Sequence, residues 1–190
     1  MRSDVTRWRE KYQHADPDPQ LSIDSLLSRH VDLLSGKGLA LDLAAGSCHA
    51  GVYLATVGNR VIALDCSVTA LRIGQRLATR MDAHIDALAA DLDSWLFPEL
   101  TFSVVTCFRY LNRSLFGAMQ KALKPGGLLI YKTFNTHHLQ KARNFNPAYV
   151  LQPGELTDTF PQIEVVDCND GHDSEHFQSW IVGQLPGQSM

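Results

Sequence analysis

From Leu39 to Phe134 the chain alternates short apolar runs with helix-length segments, and this alternation constrains the fold more than any other feature. The runs are LALDLAA (Leu39–Ala45), RVIALD (Arg60–Asp65), the weaker HIDALAAD (His84–Asp91), FSVVTCF (Phe102–Phe108) and GLLIYKTF (Gly127–Phe134). Most are apolar nearly throughout, as strands buried on both faces are. Between them, His49 to Val57 reads as a helix stopped by Gly58. Ser67 is placed to cap a helix reaching Met81, in which Ala70, Leu71, Gly74, Leu77 and Ala78 recur at helical spacing. Asn112 to Leu123 is helical and ends in a Lys-Pro-Gly-Gly turn. The pattern predicts an α/β three-layer sandwich, with a mainly parallel sheet covered on both faces.

The two ends depart from that rhythm. IEVVDC and HFQSWIVGQL, after a short helix at Glu155 to Phe160, are separated only by Asn169 to Glu175. That is too short for a parallel crossover, so they form an antiparallel hairpin. At the other end, the first nineteen residues are polar and contain Asp16-Pro-Asp-Pro19, which reads as an arm (1–19) ahead of a single domain (20–190). A helix is predicted from Gln20 to Leu34, with Leu21, Leu26, Leu27, Val31 and Leu34 on one side and Gly36 and Gly38 ending it.

Composition narrows the function classes. The net charge is -3, from 17 basic and 20 acidic residues without runs of either sign, which disfavours duplex nucleic acid as a partner. The opening MRSDVTRWREKYQ lacks the apolar core of a signal peptide, and no stretch approaches the roughly 18 apolar residues of a membrane span. Cys48, Cys66, Cys107 and Cys168 make no CxxC pair and no zinc spacing; they read as reduced thiols of a cytoplasmic protein, with no metal expected.

In open α/β sheets ligands sit beyond the carboxyl ends of the strands. The first such turn runs Asp42-Leu-Ala-Ala-Gly46-Ser-Cys48-His49-Ala-Gly51. It is not a P-loop, because Val52 and Tyr53 stand where Lys and Ser/Thr are required. Nor is it a dinucleotide fingerprint, since it lacks the middle glycine that lets the backbone approach a pyrophosphate. The ligand therefore carries no phosphate at this loop. Asp65 ends the second run, where a carboxylate can accept both hydroxyls of a ribose, and Asp91 follows the third. One aspartate after a strand is commonly a turn cap; three at consecutive strand ends point to a ligand.

These segments, together with FRYLNRSLF and LKPGGLLIYKTF, resemble the successive motifs of class I S-adenosylmethionine-dependent methyltransferases over nearly the whole chain. The glycine loop at Ala44 to Ala55 and the late PGEL at Pro153 to Leu156 look most like the small bacterial branch typified by the tellurite-resistance methyltransferase. The resemblance implies sheet order 3-2-1-4-5-7-6 with an antiparallel last strand, and S-adenosylmethionine as cofactor. It implies that the segment around Asp42 and the Gly46 backbone face its methionine part, that Asp65 holds the ribose, that Asp91 and Leu92 border the adenine, and that Ala44, Ser47, Cys48 and Cys66 also bind the cofactor. Phe108 and Arg109 would line the methyl-transfer opening, and Tyr12 would close over the cofactor. Two departures stand out. The second glycine of the family loop is Cys48 here, and the branch's hairpin His-Arg pair is represented by His172 followed by Asp173.

Methyl transfer from a sulfonium relies mainly on proximity and orientation, so no fixed catalytic signature is required. The expected activity is methylation of a small acceptor (anionic, metalloid or thiol), with Arg109 and His172 as candidate catalytic residues, in a monomer or homodimer. A non-catalytic S-adenosylmethionine-binding protein is the alternative; a nicotinamide oxidoreductase is disfavoured by the absent glycine. Tyr110 and Tyr131 read as packing residues, His137 and His138 as surface residues, and Cys48, Cys66 and Cys107 as core thiols rather than a sulfur site.

Overall fold

A computed structural model of the chain describes residues 2–36 and 38–187. Seven strands form one sheet: β1 (Leu39–Leu43), β2 (Arg60–Asp65), β3 (Asp86–Ala89), β4 (Phe102–Phe108), β5 (Leu123–Phe134), β6 (Glu164–Asn169) and β7 (Gln178–Gln184). Their order is β3-β2-β1-β4-β5-β7-β6, as the motifs implied. The helices are α1 (Arg2–Gln13), α2 (Ser25–Arg29), α3 (Val31–Leu34), α4 (His49–Thr56), α5 (Val68–Arg80), α6 (Phe116–Ala122), α7 (His138–Lys141) and α8 (Glu155–Thr159). Among the described residues, no helix is long and apolar enough to cross a membrane. The chain divides into two compact units, one of the residues up to Leu96 with Phe102–Thr106, the other of Phe97–Thr101 with the residues from Cys107 on.

In the first unit β1, β2 and β3 are parallel, with Asp42 opposite Ala63 and Asp65 opposite Ala89. Ser67 caps α5 as its position predicts, accepting the Ala70 N–H at 3.2 Å, and the predicted helical stripe is buried. Two expectations need correction. The polar arm contains a helix, α1, and its following segment is tied down by Arg76, which donates to the Pro17 carbonyl at 3.0 Å, and by Arg80, which bonds Pro19 and pairs with Asp18. The helix predicted from Gln20 to Leu34 is two short helices broken at His30, and Gln20 to Asp24 is not helical. Asp24 explains the late start, because its carboxylate accepts the Leu26 N–H at 3.0 Å and caps α2. Ahead of it, the Ser22 N–H donates to His49 Nδ1 at 3.1 Å and holds the chain extended.

In the second unit β7 pairs antiparallel with both β5 and β6, the hairpin that the short connection requires. β5 begins four residues before the predicted run, so Lys124-Pro-Gly-Gly lies within it; Gly126, at φ +76°, donates to the Leu185 carbonyl at 2.7 Å. Tyr131, Phe116 and Phe160 form the aromatic core, with Phe116 edge-on to each of the other two at 5.3 Å. The Tyr131 hydroxyl donates to the Tyr110 carbonyl at 2.6 Å, the satisfied core role expected of it. The PGEL segment is structural. Arg113 donates to both Glu155 oxygens (2.6 and 2.9 Å) and to the carbonyls of Ala148 and Val150, fixing α8 and the loop before it.

Candidate functional site

The turn after β1 is held in shape by two buried carboxylates. Three of its residues have left-handed backbone, Ala44 (φ +51°), Gly46 (φ +54°) and Cys48 (φ +58°), and only one of them is glycine. Such a conformation costs a non-glycine residue about 1–2 kcal/mol, so the surroundings must enforce it. Asp65, at the end of β2, does so from one side: its Oδ2 accepts the Gly46 N–H and its Oδ1 the Ser67 N–H, each at 2.8 Å. Asp42 acts from the other, accepting the Gly51 N–H at 2.8 Å in the first turn of α4 and the Thr106 hydroxyl at 3.0 Å. Burial pushes the Asp42 carboxyl up to about 7, although both hydrogen bonds pull it down. Burial also raises Asp65, against the Ser67 and Gly46 N–H groups.

Cys48 is fully buried and its side chain packs on Gly74 of α5, where an added Cβ would collide with the sulfur. The thiol therefore turns into the protein, away from the open side of the loop. Burial, then the charges of Asp42 and Asp65, push its pKa well above that of a free thiol, so it stays protonated and inert. Sequence reasoning left two explanations for a glycine here, positive φ and crowding of the ligand. The backbone at Cys48 is left-handed, as the first requires, and its side chain packs on Gly74, which supplies the room for it.

α1 covers this loop. The Tyr12 hydroxyl lies where a Cβ on Gly46 would stand, and Arg9 Nε donates to the Cys66 carbonyl at 3.2 Å. Burial, then Asp65, lift the half-buried Cys66 thiol to about 11. Ala44 and Ser47 are half-buried on the loop. Asp91 is exposed and accepts the Asp93 N–H at 3.1 Å, capping its own turn, while Leu92 beside it is buried. Tyr12, the loop residues, Asp65 and Cys66 thus come together, and Asp91 and Leu92 follow the adjacent strand β3.

The second unit holds a separate feature. Phe108 ends β4, and Arg109 follows it with φ +56° and its N–H bonded to the Lys132 carbonyl at 2.8 Å. A cavity of about 490 Å³ opens here, lined by Arg109, Lys132, Phe134, His138, His176 and Trp180 among others. Phe134 and His138 stack at 4.1 Å; burial, then Lys141, lower the His138 pKa and favour its neutral form. His172 is not in this lining. It is exposed beside Gly154, and the hairpin histidine that faces the cavity is His176. Sequence reading missed His176, Lys132 and Trp180; only the Asp173-x-x-His176 spacing offered a local signal.

Residues 40–127 match the family described as a methyltransferase domain. The chain is 28% identical over 115 residues to the ubiquinone biosynthesis O-methyltransferase of Idiomarina loihiensis, covering 57% of this chain and 47% of that protein. It is 31% identical over 117 residues to the demethylmenaquinone methyltransferase of Renibacterium salmoninarum, covering 59% and 48%. The chain thus spans about half the length of these relatives. The structure of TehB from Haemophilus influenzae superposes with a TM-score of 0.69 at 13% identity, over 87% of this chain and 63% of that one, and shares the fold. The resemblance drawn from the motifs to class I S-adenosylmethionine-dependent methyltransferases agrees with this domain match and with the shared fold.

Proposed function

We infer that this chain, carrying the domain of the class I S-adenosylmethionine-dependent methyltransferases, transfers a methyl group to a small-molecule acceptor. The observation that carries the reading is the Asp65–Gly46 clasp. A carboxylate at the end of β2 holds the turn after β1 through an N–H at 2.8 Å, in a loop without the glycine spacing for a pyrophosphate. The residues present fit the cofactor. Asp65 is a carboxylate at the end of β2, held by the Gly46 and Ser67 N–H groups and bonded also by Cys66, and it is the group placed to meet a ribose. The Tyr12 hydroxyl packs on the Cβ-free face of Gly46 and closes that side of the loop.

S-adenosylmethionine supplies a methyl group already activated on a sulfonium. The chain's own contribution is binding and orientation. Asp65 and the loop backbone hold the nucleoside and amino-acid ends, Leu92 offers an apolar edge to the base, and Tyr12 shields the loop from water. Asp42 shapes the loop from beneath, since both its oxygens are engaged by Gly51 and Thr106. The inward turn of the Cys48 thiol gives no ground for reading the chain as a degenerate binder. Small acceptors agree with the relatives, one of which is named for demethylmenaquinone. Arg109, with no protein acceptor for its guanidinium among the described residues, supports an anionic acceptor. The test is formation of S-adenosylhomocysteine across a panel of small acceptors. Turnover that Arg109→Met depresses while cofactor affinity stays within about twofold supports the reading; cofactor binding without turnover on any acceptor argues for a binding protein.

A further inference from the structure

We propose that the cavity beyond β4 and β5 binds a planar organic anion bearing a hydroxyl group, and that His176 takes the proton from that hydroxyl. This names the acceptor of the methyl transfer inferred above and rests on that reading. The cavity combines two chemistries that a small inorganic oxyanion does not need together. One is positive charge: Arg109, Lys132 and Lys141 line it with one lining carboxylate, Glu175, while Asp173 and Asp167 bond the lining residues His176 and Trp180. The other is aromatic surface, from the stacked Phe134–His138 pair, Phe177 and Trp180. Cations and rings are interleaved, with the Lys141 ammonium 3.6 Å from the Phe177 ring centroid and that of Lys132 5.8 Å from Trp180. The cavity is an open depression of about 490 Å³, wide enough to admit a flat organic molecule. A flat anion laid on the rings meets the cations at its edge.

Arg109 shows that the charge is placed at a cost. A bulky residue at φ +56° is strained, and the strain is kept immediately after β4, where the guanidinium is delivered to the cavity. Arg113, four residues on, is by contrast consumed by Glu155 and two carbonyls.

His176 identifies the reacting atom. Its Nδ1 lies 2.6 Å from Asp173 Oδ2, and Asp173 Oδ1 accepts the Glu175 N–H at 2.8 Å, so the carboxylate is itself fixed. The Glu175 N–H, then His176, hold the Asp173 carboxyl below its usual range, so it remains an acceptor. This bond assigns the proton of neutral His176 to Nδ1 and leaves the Nε2 lone pair to act as a base. The ring lies edge-on to Trp180 at 5.4 Å, within the lining. In the proton step the acceptor O–H breaks, its proton bonds to Nε2, and its electron pair stays on the oxygen. The imidazolium is balanced by Asp173, the oxyanion by the cavity cations.

The probe is 6-hydroxy-2-naphthoate, compared with neutral 2-naphthol and with tellurite, titrated into the full chain by fluorescence. Naphthoate should bind at least tenfold more tightly than naphthol. Lys132→Met and Arg109→Met should each remove most of that preference while leaving naphthol unchanged. At pH 8 the naphtholate absorption band should grow on binding to the wild type, but not on binding to His176→Gln, which should bind the probe within twofold. Equal affinity for naphthoate and naphthol, or tighter binding of tellurite, overturns the substrate class. A naphtholate band undiminished in His176→Gln overturns the role of His176. S-adenosylhomocysteine titrated into the same preparation separates the readings: its binding alongside indifference to naphthoate defeats this proposal and spares the methyltransferase assignment, whereas naphthoate binding without S-adenosylhomocysteine binding defeats the methyltransferase assignment and with it the acceptor role.

Discussion

The loop between β1 and α4 and the cavity beyond β5 are made of different material. The first is shaped from main chain: Gly46 and Gly51 N–H groups fastened to Asp65 and Asp42, in a stretch of ten contiguous residues plus the end of β2. The second is shaped from side chains of separated segments, Arg109, Lys132 to Lys141, and Glu175 to Trp180. A backbone cradle tolerates change in side chains as long as its dihedral angles are enforced, which is why cysteine can stand at position 48. A side-chain cavity takes its specificity from each group, so single replacements there should alter what is bound and not whether the loop forms.

The strongest way to break that contrast is Asp65→Ala. It removes the Gly46 clasp together with the proposed ribose acceptor, and charge-assisted bonds of this kind are worth about 2–4 kcal/mol in total. S-adenosylmethionine affinity measured by calorimetry should fall by roughly 30-fold to 1000-fold. An affinity equal to wild type would remove Asp65 from the site.

Asp42 tests the enforcement of the loop through pH. Its folded pKa is raised to about 7 from 3.8, so the folded state binds more protons than the unfolded state between those values. Stability therefore falls as pH rises from about 4 to about 7 and levels off above. Asp42→Asn retains an oxygen for the Gly51 N–H, and its amide can donate to Thr106, whose hydroxyl turns to the Leu41 carbonyl 3.4 Å away. Chemical denaturation of this variant should lose most of that decline and exceed wild type above pH 7, by on the order of a few kcal/mol at most. A wild-type stability that rises from pH 4 to 7, with the rise abolished in Asp42→Asn, would contradict the buried raised carboxyl.

Gly74 and Cys48 sharpen the account further. Gly74→Ala forces a methyl group onto the Cys48 sulfur and should destabilise by about 1–3 kcal/mol. Adding Cys48→Gly should restore most of the loss, since it removes the two nearest atoms and leaves the Ser47 carbonyl 3.1 Å from the new Cβ. Cys48→Gly alone should have the smallest effect. Relief of about 1 kcal/mol of left-handed strain is offset by lost packing, and cofactor affinity should stay within about threefold because the thiol faces Gly74. A larger gain in affinity would mean that the sulfur crowds the cofactor after all.

What was legible in the sequence follows the same division. Periodicity and short connections gave the sheet: the near-continuous apolar runs, the Ser67 cap and a hairpin link too short for a crossover each have a local cause. The loop was found because glycine spacing and a carboxylate at a strand end are local signals. The errors lie where local signals compete. Leu21 to Leu34 satisfies a helical stripe, yet Asp24 caps a later start and the Ser22–His49 bond holds the preceding residues out. The polar composition of residues 1–19 predicts an arm without showing what ties it down; the anchors of α1, Tyr12 over Gly46 and Arg9 on Cys66, reach residues distant in sequence. His172 comes from the family resemblance and lies outside the cavity lining, because register in a hairpin loop is set by turn geometry, here the bond from the Gly171 N–H to Asn169 and the Asp173–His176 pair. No spacing rule gathers Arg109, Lys132 and Trp180; antiparallel pairing does, placing Lys132 opposite Trp180.

The central claim is that the loop holds an adenosyl sulfur cofactor and no pyrophosphate. Side-by-side calorimetric titration of the wild-type chain with S-adenosylhomocysteine and with NAD tests it most directly. The account predicts saturable one-to-one binding of S-adenosylhomocysteine and no measurable heat of binding with NAD. Binding of NAD, or of neither ligand, would contradict it.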